Sequence, residues 1–474
     1  MEGSSSGRLV DRADAKTRFE RAGLPKTAAA WHKARYRISG NLKRDTAAGK
    51  RFWRAGADLL AKLPKKPART AEQQNAAELI LSVCRQAREH FLSHHADTLY
   101  RKLTKNLANF PRVESLVYEA AKLVPGLTPT QKQVDAESTL MQSEKDGVEI
   151  DQGIFLAHVL ALPQAGMHLC EAMLRPKPEA LERIDAFIKI GMVDFGSARV
   201  ERQGNAAVVT VHNPRYLNAE DDGTLAETET AADIAILDPI SQICVLRGDI
   251  VEHPKYKGRR IFSSGINLTH IYRGKIPYLW YIRRDMGVVN KMFRGVALAD
   301  GLGPDEIYGG TCEKPWIAGL DAWAIGGGCQ ILLAMDYVVA GRDAYMTLPA
   351  RKEGIIPGAA NLRMPRFVGD RITRQAILMG RRLDCDTPEG RMICDLIVPP
   401  DEMDQAIERV VEDFTGSGVV SAAGNRRAIR VGEEPLDLFR RYMAVYCREQ
   451  AYCHFSPALI ANLEKHWNAA QRKM

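Results

Sequence analysis

Residues 324–330 read Ala-Ile-Gly-Gly-Gly-Cys-Gln and run on into the apolar stretch 331–340. A glycine turn that feeds a helix start leaves backbone N–H groups unpaired and aims the positive end of the helix dipole at whatever binds there. That arrangement suits an oxyanion as well as a phosphate. A second segment, residues 261–268 (Ile-Phe-Ser-Ser-Gly-Ile-Asn-Leu), reads as a short strand ending in a glycine that exposes the N–H of the next residue. Two N–H donors from separate loops make an oxyanion hole.

Three further segments fall in order around these two: VTVHNPRYLNAE at 209–220, Glu-Lys-Pro at 313–315 before the strand-like 316–324, and GIIPG at 354–358. With five ordered segments over roughly 195–420, the chain resembles the crotonase, or enoyl-CoA hydratase/isomerase, superfamily. The resemblance implies an α/β fold whose repeated ββα turns form a spiral core. It also implies that the N–H groups of Ile266 and Gly327 hold the thioester oxygen of an acyl-CoA and stabilise its enolate.

The departures from the superfamily pattern narrow the chemistry. Hydratases of this family carry glutamates where this chain has Gln330 and Ala350. Glutamine hydrogen-bonds a ligand but takes up no proton near neutral pH, and alanine leaves an apolar hollow, so water addition is not expected. Molecular oxygen fits such a hollow, with Leu268, Ala350 and Ile355 lining it. Over its whole length the chain is similar to the cofactor-independent oxygenases of glycopeptide antibiotic pathways. That similarity implies (3,5-dihydroxyphenyl)acetyl-CoA and O2 as substrates, 3,5-dihydroxyphenylglyoxylate and CoA as products, and no metal or organic cofactor.

The same resemblance implies roles for individual residues. Gln330 faces the reacting centre. Glu220, which ends the turn 215–220, binds a ring hydroxyl or helps remove a proton, and its bland alternative is a solvated turn acid beside Asp221 and Asp222. Arg284, in preference to Arg283, balances that charge, against the alternative of a surface helix charge for either. Arg215 lies near the CoA nucleotide or simply caps its turn; Ser264 runs along the pantetheine arm, and His253 contacts the substrate.

Metal-dependent oxygenation is the competing chemistry. The only His-x-Asp is His95-Ala96-Asp97, preceded by His90 and His94, and helical spacing scatters these groups over a polar face instead of converging them as a two-histidine, one-carboxylate site requires. His253 has no histidine or acid spaced to share a metal. The nine cysteines include no Cys-x-x-Cys pair and are an odd, scattered set, as in a reducing compartment; Cys329 is expected to pack rather than react.

At 474 residues the chain exceeds one ordinary domain, and the crotonase-like part accounts for about half. The expected organisation is a flexible segment 1–26, a helical domain 27–194, the catalytic core 195–420, and C-terminal helices 421–474 that cover the active site or join subunits. Apolar spacing predicts helices over 28–38, 47–63, 71–103, 113–123, 153–173, 178–190, 435–453 and 457–471. Strands are predicted at 198–200 and 207–211 around the turn Gln203-Gly204-Asn205. The first 100 residues hold 20 Lys and Arg against 10 Asp and Glu. A basic helical region raises an RNA-binding crotonase homologue as a second class of function, but the aromatics Trp31, Tyr36, Phe52 and Trp53 fall at helix-packing positions and no nucleic-acid motif occurs. Within the enzyme class the alternative is an acyl-CoA thioesterase or another crotonase-type acyl-CoA enzyme. No apolar run approaches a membrane span and Met1 to Ser6 is short and polar, so neither membrane nor nucleic acid is an expected partner. A cytoplasmic homotrimer or hexamer is expected from the resemblance alone.

Overall fold

The computed structural model describes residues 12–34, 36–256 and 258–472. The helical predictions at 71–103, 113–123 and 178–190 coincide with Ala71–Leu103, Val113–Leu123 and Pro178–Ile190. Thr70 explains the first of these starts. Its hydroxyl accepts from the Gln73 N–H while the Gln73 side chain accepts from the Thr70 N–H, a reciprocal cap. The single helix expected over 153–173 is instead two, Ile150–Ala161 and Pro163–Leu174. Pro163 lacks an N–H and restricts the residue before it, so the chain restarts with proline in the first helical turn. The expectation of a flexible segment 1–26 also needs correction over its described part. Arg12–Arg21 is helical, and Ala15 and Phe19 are buried; residues 1–11 lie outside the described residues.

The sheet begins where the hairpin signal places it. In chain order the strands are β1 (Met192–Asp194), β2 (Ala198–Gln203), β3 (Ala206–Val211), β4 (Ile243–Gly248), β5 (Val296–Ala297), β6 (Thr311–Cys312), β7 (Trp316–Leu320), β8 (Trp323–Ile325), β9 (Tyr337–Gly341), β10 (Tyr345–Thr347), β11 (Leu383–Asp384) and β12 (Leu396–Val398). A seven-stranded sheet runs β1-β2-β3-β4-β7-β9-β12, antiparallel over its first two pairings and parallel from β3 onward. β8 and β10 pair in parallel in a second sheet that β11 closes.

This alternation is the spiral. β7 joins the large sheet, β8 the small one, and a helix follows at Gly327–Leu332; β9 and β10 repeat the move before Ala350–Glu353. Two earlier turns reach the small layer by single bridges, Glu220 to Ile266 and Ser263 to Ala324, ahead of helices Asp222–Leu237 and Leu268–Tyr272. Four helix starts are therefore stacked near one edge. Parallel strands covered on both faces require near-continuous apolar runs, and all five residues of Trp316–Leu320 are buried.

The helical region does not form a core of its own. One buried cluster runs from Ala15 through Phe155 and Met286 to Leu463. Helix Ile150–Ala161 packs against Leu436–His454 so closely that a Cβ on Gly153 would lie 2.6 Å from the Ala451 Cβ and 2.7 Å from the Cys447 carbonyl oxygen. Alanine in an exposed helix stabilises by about 1 kcal/mol over glycine. Here the expectation reverses: Gly153→Ala lowers the melting temperature, and Gly153→Val destabilises by about 3 kcal/mol through overpacking, as chemical denaturation would register.

Candidate active site

Local backbone requirements bring the two predicted donor loops together. Gly265 has φ +74°, and a Cβ there would lie 2.5 Å from the Ile325 carbonyl oxygen and 3.1 Å from the Gly327 nitrogen. Only glycine permits both that conformation and that approach. The Glu220 N–H donates to the Gly265 carbonyl at 2.7 Å and the Asn267 N–H to the Glu220 carbonyl at 2.8 Å; the Ile325 N–H donates to the Ser263 carbonyl at 3.0 Å. These bonds fix both loops while leaving the N–H groups of Ile266 and Gly327 without a hydrogen-bond partner among the described residues. Gly327 is the first residue of its helix, where an N–H has no intrahelical acceptor.

Behind Gly327 sits a buried ion pair. Arg284 donates to Glu220 through Nε at 2.5 Å and Nη2 at 3.0 Å, to the Gly327 carbonyl at 2.7 Å and to the Gln330 side-chain oxygen at 2.8 Å. Burial opposes the guanidinium charge, but Glu220 beside it outweighs that and raises the Arg284 pKa further. One arginine thus orients the acid, the glutamine and the oxyanion turn. Arg283 points elsewhere, to Glu114 and Asp222. The separation of the two neighbours comes from a π-helical segment, Arg284–Val289, at the end of helix Tyr278–Arg283; such segments concentrate at functional sites.

A cavity of about 20 Å³ opens beside the donors, room for one water- or dioxygen-sized molecule. Its lining includes Ile266, Arg284, Gly327 and Gln330, and on the apolar side Ala350 and Ile355. Leu268, expected there, is a correction. It begins the helix after the capping Asn267 and packs into the core, and Leu348, Ile356 and Trp280 provide apolar wall instead. The C-terminal helix Leu436–His454 covers this side: Tyr446 lines the cavity, and the Gln450 side chain accepts from the Ile356 N–H at 2.8 Å. A second cavity, also about 20 Å³, lies on the other side of Glu220 among Leu225, Leu246, Phe262, Val288 and Ile331.

The residues expected along CoA are outside both cavities. Ser264 donates to the Leu217 carbonyl at 2.7 Å and accepts from the Trp323 indole at 3.0 Å. The Arg215 guanidinium lies 5.4 Å from the Tyr216 ring. His253 lies outside both cavities: its ring sits 5.2 Å from that of Tyr256 and its Nδ1 accepts from the Lys255 N–H. Of the histidines weighed for a metal, His95 is buried against Asp45 at 2.8 Å, and Asp97 pairs with Arg101. Among the described residues no group of three or more His, Cys, Asp or Glu is placed to hold a metal ion. Cys329 is buried, and burial pushes its thiol up to about 12.

Two carboxylates in the cavity lining, Asp285 and Glu353, have no counterpart among the sequence candidates. Glu353 ends the one-turn helix Ala350–Glu353 and lines the cavity from the Ala350 side. An acid three positions after the small residue was the available signal, because residues i and i+3 share a helix face.

The chain is 46% identical over 395 residues to a (3,5-dihydroxyphenyl)acetyl-CoA 1,2-dioxygenase of Amycolatopsis orientalis, covering 83% of this chain and 89% of that protein. It belongs to that dioxygenase's family, within the crotonase superfamily. The enoyl-CoA hydratase/isomerase pattern itself matches residues 305–423. A short-chain-enoyl-CoA hydratase of Clostridium acetobutylicum is 24% identical over 242 residues, 51% of this chain and 83% of the hydratase. Among solved structures, an enoyl-CoA hydratase from Mycobacterium avium subsp. paratuberculosis K-10 is 20% identical with a TM-score of 0.46, covering 57% of this chain and 98% of that one. The likeness to the dioxygenase thus extends into the helical region that precedes the crotonase core, since 395 residues exceed the 280 from 195 to 474.

Proposed function

We propose that this dioxygenase-family chain converts (3,5-dihydroxyphenyl)acetyl-CoA and O2 into 3,5-dihydroxyphenylglyoxylate and CoA without metal or organic cofactor. The observation that carries the reading is the 46% identity to the Amycolatopsis enzyme along 89% of its length. The site's composition supports it. Two unpaired N–H groups accept the thioester oxygen as it gains charge in the enolate. Glu220, oriented by its ion pair with Arg284, borders the apolar second cavity and accepts from a ring hydroxyl. Gln330, fixed by Arg284, donates its amide N–H toward the acyl group. The small space bounded by Ala350 and Ile355 receives O2.

The chemistry then follows from the enolate. Loss of one α-proton leaves an electron-rich carbanion that transfers one electron to triplet oxygen and couples with the resulting superoxide, forming a C–O bond at the α-carbon. The distal peroxide oxygen attacks the neighbouring thioester carbonyl; CoA leaves as the thiol, the O–O bond breaks, and the second α-proton is lost as the ketone forms. Both oxygen atoms are incorporated, and the atoms balance without an outside reductant.

Assembly, location and pathway are part of the same proposal: a cytoplasmic homotrimer or hexamer that serves glycopeptide antibiotic formation. Exposed Leu302, Ile307 and Val420 support a subunit contact, on a loop and a helix that meet where Gly309 approaches Arg427. The test is oxygen uptake by chelator-treated protein given 3,5-dihydroxyphenylacetyl-CoA, with CoA release followed in air and under nitrogen. Stoichiometric O2 consumption and CoA release that stops under nitrogen are expected. Equal release under nitrogen would establish a thioesterase.

A further inference from the structure

Three carboxylates stand at or beside the first cavity, Glu353 and Asp285 in its lining and Glu220 against Gly327, and their surroundings differ. Glu220 receives two hydrogen bonds from Arg284. Its carboxylate is committed to that ion pair. Glu353 has no ion pair and no hydrogen bond to its carboxylate among the described residues, and a Cβ built on Gly326 would sit 3.9 Å from both of its oxygens. It looks into the space next to the oxyanion turn with nothing to neutralise it.

We propose that Glu353 is the base that takes the α-proton of the bound arylacetyl-CoA, an assignment that rests on the acyl-CoA reading above. The α C–H bond breaks, its electron pair moves into the C–C–O system whose oxygen is held by the Ile266 and Gly327 N–H groups, and the proton goes to a Glu353 carboxylate oxygen. When CoA departs as thiolate, that proton is transferred to its sulfur and Glu353 is again free. Positions 330 and 350 carry glutamine and alanine, neither of which takes up a proton, and Glu353, one helical turn beyond 350, supplies a carboxylate to the same cavity.

The titration behaviour agrees with this placement. Burial pushes the Glu353 carboxyl up to about 7, and a base poised near the working pH transfers protons most effectively. Every charged or titratable group facing it is otherwise committed. Arg284 is saturated by Glu220, Gln330 and the Gly327 carbonyl. Asp285, also raised by burial, accepts from Arg284 Nη1 at 3.5 Å and from the Tyr446 hydroxyl, and the phenols of Tyr281 and Tyr446 are raised well above 10 by burial. From the packed helix Pro457–Trp467, Leu459 and Asn462 lie against Gly354, and neither carries charge. On Glu353's own helix, Arg351 donates to the Leu378 carbonyl and Lys352 lies against Gly380.

The decisive experiment follows exchange of the α-hydrogens of 3,5-dihydroxyphenylacetyl-CoA in D2O under nitrogen by NMR, with affinity for the same thioester measured by calorimetry. Wild-type protein is expected to exchange at a rate that rises with pH through about 7, because the base works in its ionised form. Glu353→Gln is expected to lose about a hundredfold or more of that rate and the pH dependence with it, while retaining affinity; Glu353→Asp recovers part of the rate. Exchange by Glu353→Gln at the wild-type rate, or the same pH rise in that variant, overturns the assignment. Wild-type protein that binds no thioester and exchanges nothing overturns the acyl-CoA reading instead.

Discussion

Gly327→Ala is expected to lower kcat/KM for O2-dependent CoA release by about a thousandfold or more. Gly327 has an ordinary backbone conformation, so alanine introduces no backbone strain. The effect arises from space alone: the new Cβ would stand 2.2 Å from Glu220 Oε1 and 3.0 Å from Arg284 Nη2. Either the ion pair retreats or the helix start moves, and both displace a donor N–H from the position the developing oxyanion occupies. Removal of one such donor typically costs about 10²–10³ in rate, and loss of the Arg284 contact to the Gly327 carbonyl adds to it. Circular dichroism and a thermal melt would verify folding. An alanine variant with turnover near wild type would place the oxyanion site elsewhere in the protein.

The second large effect is on stability as well as activity. Arg284→Met should destabilise by roughly 3–5 kcal/mol, because it leaves Glu220 as an uncompensated buried charge. Denaturant titrations of the wild type and the variant would register the loss. Adding Glu220→Gln to Arg284→Met should return much of the stability without restoring oxygen uptake. If the effects of Glu220→Gln alone and Arg284→Met alone sum to that of the double variant, Glu220 and Arg284 are not coupled in solution.

The architecture was legible because its signals are local and ordered. Thr70 with Gln73, the turn at Gly204 and the glycines at 265 and 326–328 each impose a conformation on their own neighbourhood. The break at Pro163 was not read from the sequence, because the apolar periodicity on either side of it masks the interruption. What the sequence conceals depends on contacts between distant segments. Arg283 and Arg284 are adjacent letters, and only the π-helical register of 284–289 turns the second toward Glu220. Leu268 follows the oxyanion loop directly, yet Asn267 caps the next helix by accepting from the His270 N–H and carries Leu268 out of the cavity. Glu353 carries no motif of its own; its significance comes from the absence of a partner, which is visible only once the fold surrounds it.

The two donors described above belong to the main chain. No exchange of the side chain at 266 alters the N–H of that residue, and the loop geometry at 265 and 326–328 is set by glycines that face each other, not by the residues that do chemistry. On the proposed reading, the hold on the thioester oxygen rests on main-chain groups, whereas the side chains at 330, 350 and 353 act on the α-carbon and on what reacts with it. A scaffold of this kind can trade one electrophile for another, water for dioxygen, by replacing a few inward side chains while the costliest part of the reaction stays solved.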